Sequence, residues 1–225
     1  MKKILIFAGL LAVCISGGAF AKEAKTKVKV KEYRPEDTKP CGKEQLCDLK
    51  GNLINGILRQ YDIDTGKLYV ETPYRKGKKE GAEKWYEEGR LAEEHHYKNG
   101  KREGISKGYD CKTGKLMYET PYRNDKREGV RKGYYPSGKL EEEIPYKNGE
   151  EEGEAKTYHE NGKLKSESFY KNGELEGILK VYYKNGNIQF EIHYKNGEKE
   201  GDMKEYDEKG NLKKKTTYKD GHPLQ

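Results

Sequence analysis

Between residues 51 and 221 the apolar positions are thinly spread among charges, yet they recur with a fixed long period. A glycine opens each unit, at Gly56, Gly81, Gly104, Gly129, Gly153, Gly177 and Gly201, with spacings of 25, 23, 25, 24, 24 and 24 residues. Three residues on comes a cation: Arg59, Lys84, Lys107, Lys132, Lys156, Lys180, Lys204. Two further on there is always a tyrosine: Tyr61, Tyr86, Tyr109, Tyr134, Tyr158, Tyr182, Tyr206. A glycine-bearing turn follows, as at Asn161-Gly162, and then an aliphatic: Leu68, Leu91, Leu116, Leu140, Leu164, Ile188, Leu212. Three residues after it stands a glutamate (Glu71, Glu94, Glu119, Glu143, Glu167, Glu191), replaced by Lys215 in the last unit. Six residues after the aliphatic a second tyrosine closes the unit: Tyr74, Tyr97, Tyr122, Tyr146, Tyr170, Tyr194, Tyr218. Self-similarity at one period marks a repeat architecture of seven units.

Each unit reads as a β-hairpin. Glycine interrupts too often for a helix, and Asn-Gly turns tolerate the positive φ that tight hairpins require. Two arms per unit, each about six residues long, predict an all-β, elongated antiparallel meander. About fourteen strands at a spacing of roughly 4.8 Å would run on the order of 65–70 Å. Alternation places the aliphatic and the tyrosine of the second arm on one face and the intervening glutamate on the other. In the first arm cation and tyrosine share a face, so the lysine stem is expected along the aromatic ring. The aliphatics and both tyrosine series are the predicted repeat core. Lysines at 213–215 in the final unit suit a cap against end-to-end sheet growth.

Composition changes this picture in one respect. With 32% hydrophobic and 38% charged residues and a mean hydropathy of -1.20, the chain cannot build a thick core and would otherwise read as disordered. Its 19 tyrosines supply large rings with polar tips, enough for order by repetition. The net charge is +7, or +5 without Lys2 and Lys3 (7 − 2), and the signs are interleaved along the chain. Such a balance reads as a solvated surface and argues against nucleic acid as partner.

Residues 1–21 have the form of a signal peptide: Lys2-Lys3, an apolar run from Ile4 to Ile15, and Ala19-Phe20-Ala21 before expected cleavage at Lys22. The run is short for a bilayer, and no later segment of the mature chain is apolar enough to span one. Export to the periplasm, medium or cell surface is therefore expected. A rival maturation stays open, because Leu11-Ala12-Val13-Cys14 resembles a lipobox in which Cys14 carries lipid. Residues 22–50 form a linker or cap, where Cys41 and Cys47 are a disulfide candidate in an oxidising compartment. Cys111 is left over, as a free thiol or an intermolecular partner. Residues 222–225 are a tail.

The recurring Tyr-Lys-Asn-Gly-(Lys/Glu)-x-Glu-Gly, as in residues 97–104, 170–177 and 194–201, resembles the bacterial variant of the MORN repeat. This variant is found in proteins labelled YwqK-family antitoxins. The resemblance implies an elongated β-array serving as scaffold or binding surface, with protein assembly and weak anionic-lipid contact among the associated roles.

Candidate chemistry is sparse. His96 and His193 share a repeat position but stand four units apart, and the neighbours His95 and His96 point to opposite faces; all five histidines, with His159 and His222, are read as ordinary surface. No Gly-rich phosphate loop or nucleophile–base set stands out, so no catalytic residue, metal or cofactor is expected. The cation and glutamate series read first as a cross-strand ion-pair ladder. The function expected is that of an exported, non-catalytic scaffold or adhesion module, its partner an unknown protein or envelope component. The alternatives are an antitoxin or immunity-type protein that neutralises a toxin by binding, and an anionic-phospholipid-binding module.

Overall fold

A computed structural model describes residues 31–42 and 45–224; residues 1–21, read above as a signal peptide, and Cys14 among them lie outside the described residues. The first arms of the seven units are the strands Gly56–Tyr61, Gly81–Glu87, Gly104–Tyr109, Gly129–Tyr134, Gly153–Tyr158, Glu174–Tyr182 and Glu198–Tyr206. The second arms are Leu68–Arg75, Arg90–Lys98, Leu116–Arg123, Leu140–Lys147, Leu164–Lys171, Ile188–Lys195 and Leu212–Lys219. These second arms are eight or nine residues long, longer than the six expected. After turning, the chain adds a two-residue ribbon such as Lys78–Lys79 or Lys101–Arg102, which in units 6 and 7 merges into the first arm. All pairings between arms are antiparallel and sequential, so the sheet is a meander in chain order.

Register repeats with the sequence. Arg59 faces Glu71 across its own hairpin, and Glu71 faces Lys84 of the next. The same step recurs through Lys107, Lys132, Lys156, Lys180 and Lys204. In all seven units the register slips just before the first-arm tyrosine, as between Gln60 and Tyr61. A bulge bends its strand and increases twist, so fourteen arms bent at matching places curve together. The face with Leu58, Val70, Thr72, Glu83, Ser106, Thr120, Ala155 and Ile192 is buried. This inner row pairs Leu58 with Thr72, Ser106 with Thr120 and Leu179 with Ile192.

The array begins under a cap. Glu32–Tyr33 pairs in parallel with Gly56–Tyr61 and covers the open edge of the first strand. A hairpin of Thr38–Gly42 and Gln45–Asp48 carries a Cys41–Cys47 disulfide. The Leu46 amide donates to Gly77 O at 2.8 Å and the Ile54 amide to Leu46 O at 3.1 Å, seating the cap on the first ribbon. Ile54 is wholly buried, against Tyr33 and Leu58.

Two members of the expected core are not core. Tyr61 is 45% and Leu212 55% exposed. Both stand in terminal units, where a neighbouring unit is missing on one side and the ring or aliphatic has nothing to cover it. Cys111 is buried and disulfide-bonded, which corrects its reading as a free thiol.

Candidate functional site

Three rows run side by side along the outer face of the sheet, crossing the strands. The first is the charge row. Its ion pairs include Arg59–Glu71 at 2.7 Å, Lys107–Glu119 at 3.3 Å, Lys180–Glu167 at 3.2 Å and Lys204–Glu191 at 3.5 Å. Five of the six glutamates, all but Glu94, are also acceptors for the first-arm tyrosine of the next unit. Tyr86 Oη donates to Glu71 at 2.9 Å, Tyr134 to Glu119 at 3.1 Å, Tyr158 to Glu143 at 2.9 Å, Tyr182 to Glu167 at 2.6 Å and Tyr206 to Glu191 at 3.0 Å. The constant interval between a glutamate and the tyrosine it receives is thus a bond between units. At the amino end Glu32 of the cap pairs with Arg59, extending the row by one step. At the carboxyl end Lys204 meets Lys215, and the alternation stops.

Burial and these carboxylates together hold the phenols neutral. Tyr86 is pushed up to about 12, by burial first and then by its bond to Glu71. Tyr182 shifts the same way, burial again leading, and so do Tyr118 and Tyr97 on the inner face, beside Glu93 and Glu83. Glu167 is held below the ordinary glutamate range, chiefly by the Tyr182 hydroxyl.

The second row is apolar in units 1, 3 and 4, where Ile57 faces Pro73, Ile105 faces Pro121 and Val130 faces Pro145. Elsewhere it is mixed, with Ala82 facing His96, Glu154 facing Phe169, Ile178 facing His193 and Asp202 facing Thr217. Ile105, Val130, Phe169 and Ile178 are each between 42% and 46% exposed. Opening glycines make the prolines fit: a Cβ at Gly129, whose φ is +111°, would lie 3.1 Å from Pro121 Cγ. The third row, at the hairpin tips, is cationic in units 1–3, with Arg75 opposite Lys78, Lys98 opposite Lys101 and Arg123 opposite Lys126. In units 4–6 the tips are mixed, Lys147 facing Glu150, Lys171 facing Glu174 and Lys195 facing Glu198, and in unit 7 Lys219 faces His222. Charges that alternate along the chain are therefore segregated in space at this edge.

On the inner face the second-arm tyrosines stack with cations of the preceding ribbon, a pairing that the sequence did not suggest. Lys79 lies 4.6 Å from the Tyr97 centroid, Arg102 4.3 Å from Tyr122, Arg127 4.1 Å from Tyr146 and Lys199 5.0 Å from Tyr218. Near the cap this face also holds a polar nest that sequence reasoning missed. Glu83, 2% exposed, accepts from Lys79 Nζ at 2.5 Å, Thr72 Oγ1 at 2.8 Å and Trp85 Nε1 at 3.1 Å. Burial opposes its ionisation, and these donors outweigh it and hold its pKa low. His95, read as ordinary surface, is largely enclosed: Nε2 lies 3.0 Å from Glu93, whose other oxygen accepts from Tyr118 at 2.9 Å, while Nδ1 has no partner. Tyr118 lies flat only because residue 108 is glycine, where a Cβ would stand 2.2 Å from the ring.

This arrangement offers a long patterned surface. Among the described residues there is no group of three or more His, Cys, Asp or Glu placed to hold a metal, and no helix long and apolar enough to cross a membrane. Five segments of the chain match the MORN repeat variant family, at residues 79–99, 127–148, 151–172, 175–196 and 199–220. These are units 2, 4, 5, 6 and 7. The unmatched units 1 and 3 share a longer turn, in which Asp62 or Asp110 accepts from the amide and hydroxyl of Thr65 or Thr113. No curated protein matches the chain.

Proposed function

We propose that the protein is a non-catalytic scaffold that works outside the cytoplasm and docks a protein partner along the outer face of its array. The observation that carries this reading is the set of half-exposed apolar side chains Ile105, Val130, Phe169 and Ile178, bordered by the ion pairs Lys107–Glu119, Lys132–Glu143 and Lys180–Glu167 of the charge row. Apolar contact beside satisfied polar groups is what a protein interface uses at its centre, since the paired charges need not be stripped of their partners to bind. The MORN repeat variant matched by five units agrees with a binding role. The leader-like residues 1–21 support work outside the cytoplasm.

Two measurements test the two halves of this proposal. In-cell crosslinking of the tagged full chain is expected to trap one partner that the double substitution Ile105→Glu/Val130→Glu loses and Ile63→Glu retains. Equal trapping by all three removes the apolar row as the docking face. Intact mass of the protein recovered from cells is expected to show a chain starting at Lys22. A chain starting at lipidated Cys14 would keep the reading and move it to a membrane face, whereas an uncleaved chain in the cytosol would end it.

A further inference from the structure

The cationic hairpin tips of units 1–3 have no role in the array. Arg75, Lys78, Lys98, Lys101, Arg123 and Lys126 sit in directly opposed like-charge pairs, an arrangement that costs stability. None of the six makes an ion pair or hydrogen bond through its side chain with another described residue. The contrast with the Lys–Glu tips of units 4–6 shows that the hairpin geometry does not require it. Three pairs recurring every two strands, about 10 Å apart, make a file of charge on the order of 25 Å long.

This file begins at the cap. Two open depressions border the disulfide hairpin there, of about 370 and 360 Å³. The first has Pro40, Leu46, Tyr74, Gln45, Lys79 and bare glycine backbone in its walls. The second has Gln45, the cations Arg75, Lys76 and Lys78, and Glu80, whose carboxylate is taken up by the Asn99 amide. An aromatic ring, an amide and bare backbone beside cations suit a pyranose ring bearing an acidic group. A linear file beyond them suits further acidic groups on one chain. The second depression, where the file of cations starts, carries none of the large apolar side chains that anchor a protein partner, and Leu46 and Tyr74 are the large ones in the first.

We propose that the cap and the hairpin tips of units 1–3 bind a linear acidic polysaccharide. This site is separate from the apolar row and stands or falls independently of it. The probe is a fluorescently labelled heparin fragment, titrated against the full chain by anisotropy. The variant Lys78→Gln/Lys98→Gln/Lys101→Gln/Lys126→Gln is expected to weaken binding roughly tenfold or more and flatten its salt dependence. Lys147→Gln/Lys171→Gln/Lys195→Gln/Lys219→Gln removes the same charge from the other tips and is expected to bind as the parent does. Gln45→Ala, at the rim of the first depression, is expected to weaken the heparin fragment while leaving poly-L-glutamate binding unchanged. Equal losses in the two quadruple variants would reduce the effect to net charge and overturn the proposal. So would poly-L-glutamate, or phosphatidylglycerol vesicles, binding at least as tightly as the heparin fragment.

Discussion

Glu83 is the residue on which the inner face near the cap depends, because a carboxylate that buried is tolerable only with all its donors present. Glu83→Ala leaves Thr72, Trp85 and Lys79 without their acceptor, and urea denaturation should show a loss of about 2–3 kcal/mol. Gly108→Ala drives a methyl group into the Tyr118 ring, whose displacement breaks its bond to Glu93; the expected cost is about 1–3 kcal/mol by the same measurement. The titrating groups set the pH window. A phenol whose folded pKa is raised adds stability that is complete below its unfolded value, about 10, and is lost as pH rises through the folded value. For Tyr86 that value is about 12, with Tyr97, Tyr118 and Tyr182 shifted in the same direction. Glu83, Glu93 and Glu167 are shifted down, so their contribution is present above the ordinary glutamate value, about 4.3, and disappears as pH falls through the depressed ones. Urea midpoints should therefore hold steady near neutrality and drop at both ends, the alkaline drop coinciding with tyrosinate absorbance. Tyrosinate forming well before any loss of structure would contradict the Tyr–Glu bonds.

At the scale of the hairpin, the glutamate before each opening glycine acts on the following unit. Glu80 Oε2 accepts from the Asn99 amide at 2.7 Å, Glu128 from Asn148 at 2.8 Å, Glu152 from Asn172 at 2.8 Å and Glu200 from Asp220 at 3.0 Å. In the first unit Asn55 takes that place, its Oδ1 accepting from the Lys76 amide at 2.8 Å. The turn glycine adds a backbone bond, as from Gly173 to Glu151 O at 2.9 Å. Each turn is thereby clamped to its predecessor at two amides, which accounts for the Glu-Gly that ends the repeating motif. Glu152→Ala should cost only about 0.5–1.5 kcal/mol, because the site is exposed. Its diagnostic effect is local: amide exchange at Asn172 should speed up while the Asn99 and Asn124 amides keep their rates. Uniform acceleration along the array would mean that the turns do not act singly.

Over the whole molecule these contacts join neighbours only, so the array behaves as a one-dimensional stack. Gly153 and Gly177 are 24 residues apart and stand at equivalent positions, so deleting residues 153–176 brings Lys180 opposite Glu143 in the register that Lys156 occupies now. The shortened protein should fold cooperatively with a modestly lower Tm, whereas deleting half that span should abolish folding, since one arm is lost and Glu167 then comes beside Glu143 with no cation between them. Equal stability of the two deletions would rule out a strict register. The ends differ from the middle in predictable ways: Glu32–Tyr33 covers the first edge, and the final arm breaks the charge alternation with Lys215.

Sequence alone determined the strand class, the number of units, the arms of the two recurring tyrosine series and the glutamate-against-cation register, because a period-two chain with positive-φ turns at regular places has few ways to pair. It misjudged what is buried: the inner row of Leu58, Thr72, Ser106, Thr120 and Ala155 varies too much from unit to unit to register as a pattern. Glu83 and His95 likewise read as polar surface, since enclosure depends on how far the bulged arms curve and not on residue type. The tyrosine–cation stacks and the file of unpaired cations required the fold for a related reason. Their members lie in different units about 20 residues or more apart, or across a turn, and only the lateral pairing of hairpins turns an alternation of charge along the chain into separated rows across the sheet.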